Sequence, residues 1–200
     1  MLKKMMLFAS MALAAIAFAV PATASALEWT HEGAKFAGTA EDTLSGKISF
    51  GNPEAGKTKF GCIAHAGVSA NGGLPTGSVT SFTPTTETCE GEGLFAGCEL
   101  VSDSTTGLPA GISITGTNTL TLSNATIVIH NEYNAACPVA KSTLTVSHLT
   151  MTGTNSNLTD VTVSGLATSH VTLRVGGLQP PATVAVFGTL GTATDTLSIS

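Results

Sequence analysis

The chain has little charge and few aromatic residues. Of its 200 residues, 10% are charged and 5% are aromatic, with one Trp and one Tyr. In an average soluble domain about a quarter of the residues are charged. At 42% hydrophobic residues the chain is too apolar to be disordered. It has eight Lys and Arg residues and thirteen Asp and Glu residues. Because it lacks the excess of basic residues with which proteins bind phosphates, we expect no nucleic-acid partner.

Motifs of common catalytic machinery are also absent from the sequence. It contains no Gly-x-Ser-x-Gly elbow, no Ser-x-x-Lys and no Asp-Thr-Gly. The thiols are expected to be oxidised, which disfavours cysteine catalysis. The sequence therefore predicts a non-enzymatic protein without a cofactor. The sequence does not exclude a triad assembled from distant Ser, His and Asp residues, so an extracellular hydrolase is an alternative.

The N-terminal segment has the three parts of a secretory signal peptide. Lys3 and Lys4 precede an apolar stretch over residues 5–20, and Ala24-Ser25-Ala26 offers a small-residue cleavage site. The apolar stretch is shorter than the about 20 residues of a permanent membrane anchor. We expect a signal peptide over residues 1–26 and one domain over 27–200, starting at Leu27, in a protein that is extracellular or held at the cell envelope.

Four cysteines follow this segment: Cys62, Cys89, Cys98 and Cys137. An even number of cysteines in an exported chain indicates disulfides, and no Cys-x-x-Cys pair suggests a metal site. We favour Cys62–Cys89 with Cys98–Cys137, because these bridges clip successive β elements together. Cys89–Cys98 with Cys62–Cys137 is the alternative pairing.

The hydrophobic pattern has a period of two nearly everywhere after residue 26. Over residues 112–123, Ile and Leu alternate with Ser and Thr, which is typical of a strand with one buried face, or of a hairpin turning at 116–118. A change of parity within residues 143–151 predicts a bulge near Ser147 and His148. About ten short strands, including 160–163 and 167–175, predict an all-β fold, either an antiparallel sandwich or a related barrel.

Several segments resemble a group of small secreted β-rich proteins of high-GC Gram-positive bacteria. They are GKISFG at residues 46–51, VTSFTPTTETCEGEGLFAGC at 79–98 and Cys137-Pro138, and the likeness extends over about residues 27–140. The resemblance implies export and a disulfide-clipped β-domain. It implies no activity and no catalytic residues.

Three residues are candidates for ligand contact. His130 and Glu132 lie two apart on a predicted strand and hence on one face, where a His of a neighbouring strand would complete a metal site. Solvent-facing strand residues are the more common reading of such a pair. Trp29 would either stack on a sugar or plug the edge of the β-fold. The acidic loop 87–99 is either a calcium site or a solvated loop, and it contains Glu87, Glu90, Glu92 and Glu99.

Together these features predict a secreted, non-enzymatic β-domain that acts at or near the cell envelope through protein or surface contacts. The expected partner is a cell-envelope or extracellular protein or glycan. A carbohydrate-binding module and an extracellular hydrolase are the two alternative functions.

Overall fold

A computed structural model describes residues 27–51, 59–123, 125–153, 158–192 and 197–200. The predicted signal peptide, residues 1–26, lies outside these ranges. The described residues form fifteen strands and two 3-10 turns, Thr86–Thr88 and Gly93–Phe95, and contain no α-helix. These ranges hold no helix with the length and apolar content that crossing a membrane requires.

The strands run as follows along the chain: β1 (Trp29–His31), β2 (Ala34–Lys35), β3 (Thr39–Gly51), β4 (Lys59–Asn71), β5 (Thr76–Pro84), β6 (Glu90–Glu92), β7 (Leu100–Thr106), β8 (Ala110–Gly116), β9 (Thr119–Leu122), β10 (Ile127–Tyr133), β11 (Val139–Gly153), β12 (Val161–Leu173), β13 (Gly177–Leu178), β14 (Ala182–Thr192) and β15 (Leu197–Ile199).

Eight of the strands close into an antiparallel barrel. Their order is β12, β14, β3, β4, β5, β8, β9 and β11, and β11 pairs with β12 to complete the ring. Closure pairs the strand edges that would otherwise be open to other chains. The all-β prediction is confirmed, and of the two predicted architectures the chain adopts the barrel.

One edge of β11 pairs with two different strands. The two halves of the barrel therefore differ in their strand arrangement. The C-terminal part of β11 pairs with β9, whereas its N-terminal part pairs with β10, which in turn pairs with β7. In the half that contains the cysteines, β10 and β7 therefore take the place that β9 and β8 have in the other half. The described residues of β7 and β5 form contacts but no strand pairing with each other. We call this junction the β5–β7 seam.

Alternation of side chains puts aliphatic residues inside the barrel and hydroxyl residues outside. Ile112, Ile114 and Leu120 are buried on β8 and β9, while Thr115 is exposed and Thr121 half-buried. Several glycines lie where the backbone of a neighbouring strand comes close. A Cβ on Gly188 would lie 2.1 Å from the carbonyl oxygen of Lys47 on the next strand. The close approach of these strands thus needs glycine at such positions.

Each end of the barrel has its own plug. At one end β1 lies between β15 and β2 in a small separate sheet that carries the wholly buried Trp29. At the other, the cysteine end, the rings of Phe50, Phe60, Phe95 and Tyr133 pack together, with centroids 5.0–6.2 Å apart. Offset and edge-on contacts at these separations are favourable for aromatic rings. Both ends are therefore filled by the chain's own side chains.

The disulfides are Cys62–Cys89 and Cys98–Cys137, which confirms the favoured pairing. The hairpin over 112–123 and the bulge near Ser147 and His148 are also confirmed, since the register between β11 and β12 shifts between Val146 and His148. The prediction of short strands was wrong for much of the barrel. The two predicted strands over residues 160–163 and 167–175 correspond to one continuous strand, β12, which ends at Leu173, and four strands are 13 to 15 residues long.

The close approach at Gly188 yields a test of the barrel. We expect Gly188→Ala to lower the free energy of unfolding by about 1–3 kcal/mol, because the added Cβ has to displace backbone of β3. Gly116→Ala is the control, since its Cβ would meet only the Thr119 side chain at 3.4 Å, and we expect a change within about 0.5 kcal/mol. Urea unfolding of both variants measures this. Equal effects would contradict the close packing of β3 and β14.

Candidate functional site

The outer faces of β7, β10, β11 and β12 form a continuous surface, here called the polar wall. Strand register aligns its side chains in three rows that run across the four strands. The rows are Ser102, Glu132, Lys141 and Thr172; Ser104, His130, Thr143 and His170; and Thr106, Val128, Thr145 and Thr168. Residues facing each other in neighbouring strands have Cβ atoms about 5 Å apart, so the rows are closely spaced.

His130 lies in the middle row of the polar wall and is exposed. Its Nδ1 lies 3.1 Å from Oγ1 of Thr143, and Thr143 also faces His170 on the other side. His170 thus shares this face, but it lies two strands away from His130 and not on the neighbouring strand that the predicted metal site requires. Among the described residues, no group of three His, Cys, Asp or Glu side chains is placed to hold a metal ion.

Glu132 shares this outer face with His130, as predicted, and is held in an ion pair. Lys141 Nζ donates to one of its carboxylate oxygens at 2.5 Å, and Ser102 Oγ donates to the other at 3.3 Å. The hydrogen bond and charge of Lys141, helped by Ser102, lower the pKa of the Glu132 carboxyl. Glu132 is therefore a charged hydrogen-bonding group of the wall at neutral pH.

Exposed apolar side chains border the polar wall. Leu178 faces Thr172 across the β12–β13 pair, Leu166 lies on the outer face of β12, and Val101 precedes Ser102. These three side chains are 69%, 54% and 63% exposed. Single exposed hydrophobic residues are normal on a protein, but several around one polar face favour an interaction surface.

The cysteine end fixes the polar wall through Arg174. Its guanidinium donates to the backbone carbonyls of Cys137, Tyr133 and Asn134 at 2.7–3.0 Å, and Cys137 is bridged to Cys98. Sequence reasoning missed Arg174 in this role. It is one of only two basic residues after residue 103, the other being Lys141, and that rarity was the available signal.

The carboxylates of the acidic loop 87–99 bind to different partners. Glu90 pairs with Lys47 at 2.7 Å, Glu92 with Lys59 at 2.9 Å, and Glu99 accepts a hydrogen bond from Asn134. The hydrogen bond and charge of Lys47 lower the pKa of the Glu90 carboxyl. A calcium site needs several oxygens directed at one point, whereas these three side chains have separate partners.

Trp29 plugs one end of the β-fold, which is the second of its two predicted roles. It is 0% exposed in the plug of the barrel, where a sugar cannot stack on its ring. Within the described part of the chain its indole Nε1–H has no hydrogen-bond partner. The flat aromatic platform that a carbohydrate-binding module would use is therefore not provided by this residue.

A hydroxyl and an imidazole also meet on the outer face of β3 and β4. Ser45 Oγ lies 2.7 Å from Nδ1 of His65. Ser45 lines a polar groove of about 490 Å³, together with Glu41, Asp42, Thr43, Gly67, Thr80 and Ser81. A hydroxyl hydrogen-bonded to an imidazole is the minimal arrangement of an activated serine nucleophile.

Behind the polar wall, inside the barrel, lies a small hydrogen-bonded group. The phenol of Tyr133 lies 2.9 Å from Ser142 Oγ and also hydrogen-bonds Asn131, and all three side chains are buried. Burial raises the pKa of Tyr133 to about 12, against the opposing effect of these hydrogen bonds. The phenol therefore stays neutral wherever the protein is folded below that pH.

No family model matches the chain, and no curated protein or solved structure shows significant similarity to it. The interpretation of its surfaces consequently depends on their geometry and chemistry.

The buried phenol predicts a loss of stability in alkali. The pKa of tyrosine in an unfolded chain is about 10, so between pH 10 and 12 the unfolded state releases a proton that the folded state keeps. The free energy of unfolding should fall over this interval, by up to about 3 kcal/mol at pH 12. Tyr133→Phe should lack this contribution while losing about 1 kcal/mol at neutral pH with its hydrogen bonds.

Urea unfolding of both proteins from pH 8 to 12 measures the difference. Tyr133 is the only tyrosine, so phenolate absorbance reports on this residue alone. Equal slopes for the two proteins, or ionisation of the phenol near pH 10 in the folded protein, would contradict the assignment.

Proposed function

We propose that the chain is an exported, non-catalytic binding protein that acts at or near the cell envelope through its polar wall. The observation that carries this proposal is the alignment of twelve side chains in three rows across β7, β10, β11 and β12. Hydroxyls, two imidazoles and an ion pair there present donors and acceptors in a fixed geometry. A preorganised surface loses little conformational entropy when it binds.

Export is supported by the two disulfides together with the sequence of residues 1–26. Disulfides persist in oxidising compartments, which include the extracellular space. Cys98–Cys137 and Arg174 hold the wall's strands where β10 ends and β11 begins. The bridge therefore stabilises the same surface that we assign to binding.

The surface chemistry favours a protein partner over a glycan. Glycan-binding sites rely on exposed aromatic rings, yet Trp29 and Tyr133 are 0% and 3% exposed. The wall instead combines hydrogen-bonding rows with bordering aliphatic side chains such as Leu166 and Leu178. Specific protein interfaces have this mixture of polar and apolar contacts.

A matched pair of double variants tests the wall. Thr145→Gln with Thr168→Gln places longer side chains on facing residues of β11 and β12 within the wall. The control, Thr162→Gln with Thr189→Gln, makes the same change on facing residues of β12 and β14 beyond the wall. We expect the wall variant to lose at least about tenfold in affinity for envelopes of the producing cells, and the control to bind like the unmodified protein.

The measurement is a sedimentation assay with isolated envelopes and the protein purified from culture medium. Protease treatment of the envelopes should abolish binding if the partner is a protein. Retained binding after that treatment would replace a protein partner with a glycan. Failure of the unmodified protein to bind, or equal binding by both variants, would refute the proposal.

Hydrolysis is a second candidate function, favoured by the contact between Ser45 and His65. If Ser45 is an activated nucleophile, a fluorophosphonate probe should label the folded protein, and Ser45→Ala should abolish the labelling. Ser81→Ala, in the same groove, should leave it unchanged. Mass spectrometry of the labelled peptides locates the modified residue. An unlabelled protein would eliminate this candidate.

A further inference from the structure

Two adjoining cavities lie within the barrel. Their volumes are about 60 Å³ and about 40 Å³. Five residues line both of them: Ile48, Phe82, Ile129, Val146 and Val186. We call the two together the interior site. A single water needs roughly 10–15 Å³ on this kind of measure, so each cavity is larger than the voids of ordinary packing.

The lining of the interior site differs between its two parts. The larger cavity is lined by apolar residues alone, among them Ala66, Val68 and Met151. The smaller cavity, towards the cysteine end, has one polar residue in its lining, Asn131. A buried water needs two to four polar partners. The larger cavity offers water none from side chains, and this favours an apolar occupant.

Asn131 brings hydrogen-bonding capacity to an otherwise apolar space. It is 3% exposed and hydrogen-bonds the phenol of Tyr133, while a carboxamide can form up to four hydrogen bonds. Asp103 faces Asn131 in the strand register, and burial raises the pKa of its carboxyl. Small-molecule sites commonly combine an apolar lining with a few such polar groups.

The β5–β7 seam lies beside the interior site. Phe82 of β5 is half-buried and lines both cavities, and Pro84 and Leu100 on the two sides of the seam line the smaller one. Across the seam, Thr105 Oγ1 donates to the Phe82 carbonyl at 3.3 Å. Strands without a shared backbone ladder can separate locally at lower cost than paired strands.

The geometry points to the interior site as a binding site for a small, largely apolar molecule that carries one hydroxyl or carbonyl group and enters through the β5–β7 seam. The apolar body occupies the larger cavity and the polar group contacts Asn131. Together the cavities are smaller than the about 150 Å³ of an engineered site that holds benzene. The ligand is therefore smaller than benzene, and a short-chain alcohol or ketone has this size. Eight-stranded barrels have interiors that side chains just fill or that hold one small ligand.

Propanol and propane form the test pair, because they share the carbon chain and differ in the hydroxyl. We expect propanol to shift the methyl NMR signals of Val68, Val146 and Val186 saturably in the folded protein. Propane should bind at the same place roughly tenfold more weakly, since it lacks one hydrogen bond. Asn131→Leu should bring the two affinities to the same value.

Variants that fill the space test its location. Ala66→Leu should abolish propanol binding, and Val186→Ile is a milder change that should weaken it if Ala66→Leu does not fold. Thr162→Gln on the outer surface is the control and should bind propanol like the unmodified protein. Absence of saturable methyl shifts, or unchanged binding in a folded filled variant, would overturn the site. Equal binding of propanol and propane to the unmodified protein would overturn the role of Asn131.

Discussion

The long ladder between β11 and β12 is the interaction on which the rest of the molecule depends. It joins residues from Val139 to Gly153 with residues from Leu173 to Val161 and closes the ring of strands. Because β11 is longer than either of its neighbours on the other edge, it accepts β9 along one part and β10 along another. That single division creates the two different halves of the barrel, the polar wall that extends from β7 across the ladder to β12, and the seam beside β7.

The interior and the exterior of the barrel differ in composition because side chains alternate along each strand. Successive residues of each strand point to opposite faces, so the Thr side chains that alternate with aliphatic residues lie on the outer surface. A few residues depart from this pattern, and they mark the candidate sites. Asn131, Ser142 and Tyr133 turn inward and share hydrogen bonds, whereas Leu166 turns outward and is more than half exposed.

Sequence reasoning reached the fold class and the cysteine pairing, because alternation and spacing are local or nearly local signals. It divided β12 in two because Gly165 interrupts the apolar parity. That glycine faces inward, where a Cβ would lie 2.3 Å from the carbonyl of His148, and the neighbouring apolar Leu166 faces outward. His130 and Glu132 could be placed on one face from their spacing. Their neighbours Lys141, Thr143 and His170 could not, because only the register between strands brings these residues together.

The way the ring is closed also bears on how the chain reaches its native state. Residue 44 on β3 pairs with residue 192 on β14, and Trp29 pairs with Ile199. Contacts between such distant parts of a chain form late and slowly, since a long loop has to be ordered before they contribute. The chain therefore cannot complete its barrel until its last strands are available. A polypeptide that emerges from a membrane channel N-terminus first would remain open, and accessible to folding catalysts, until β14 and β15 have followed.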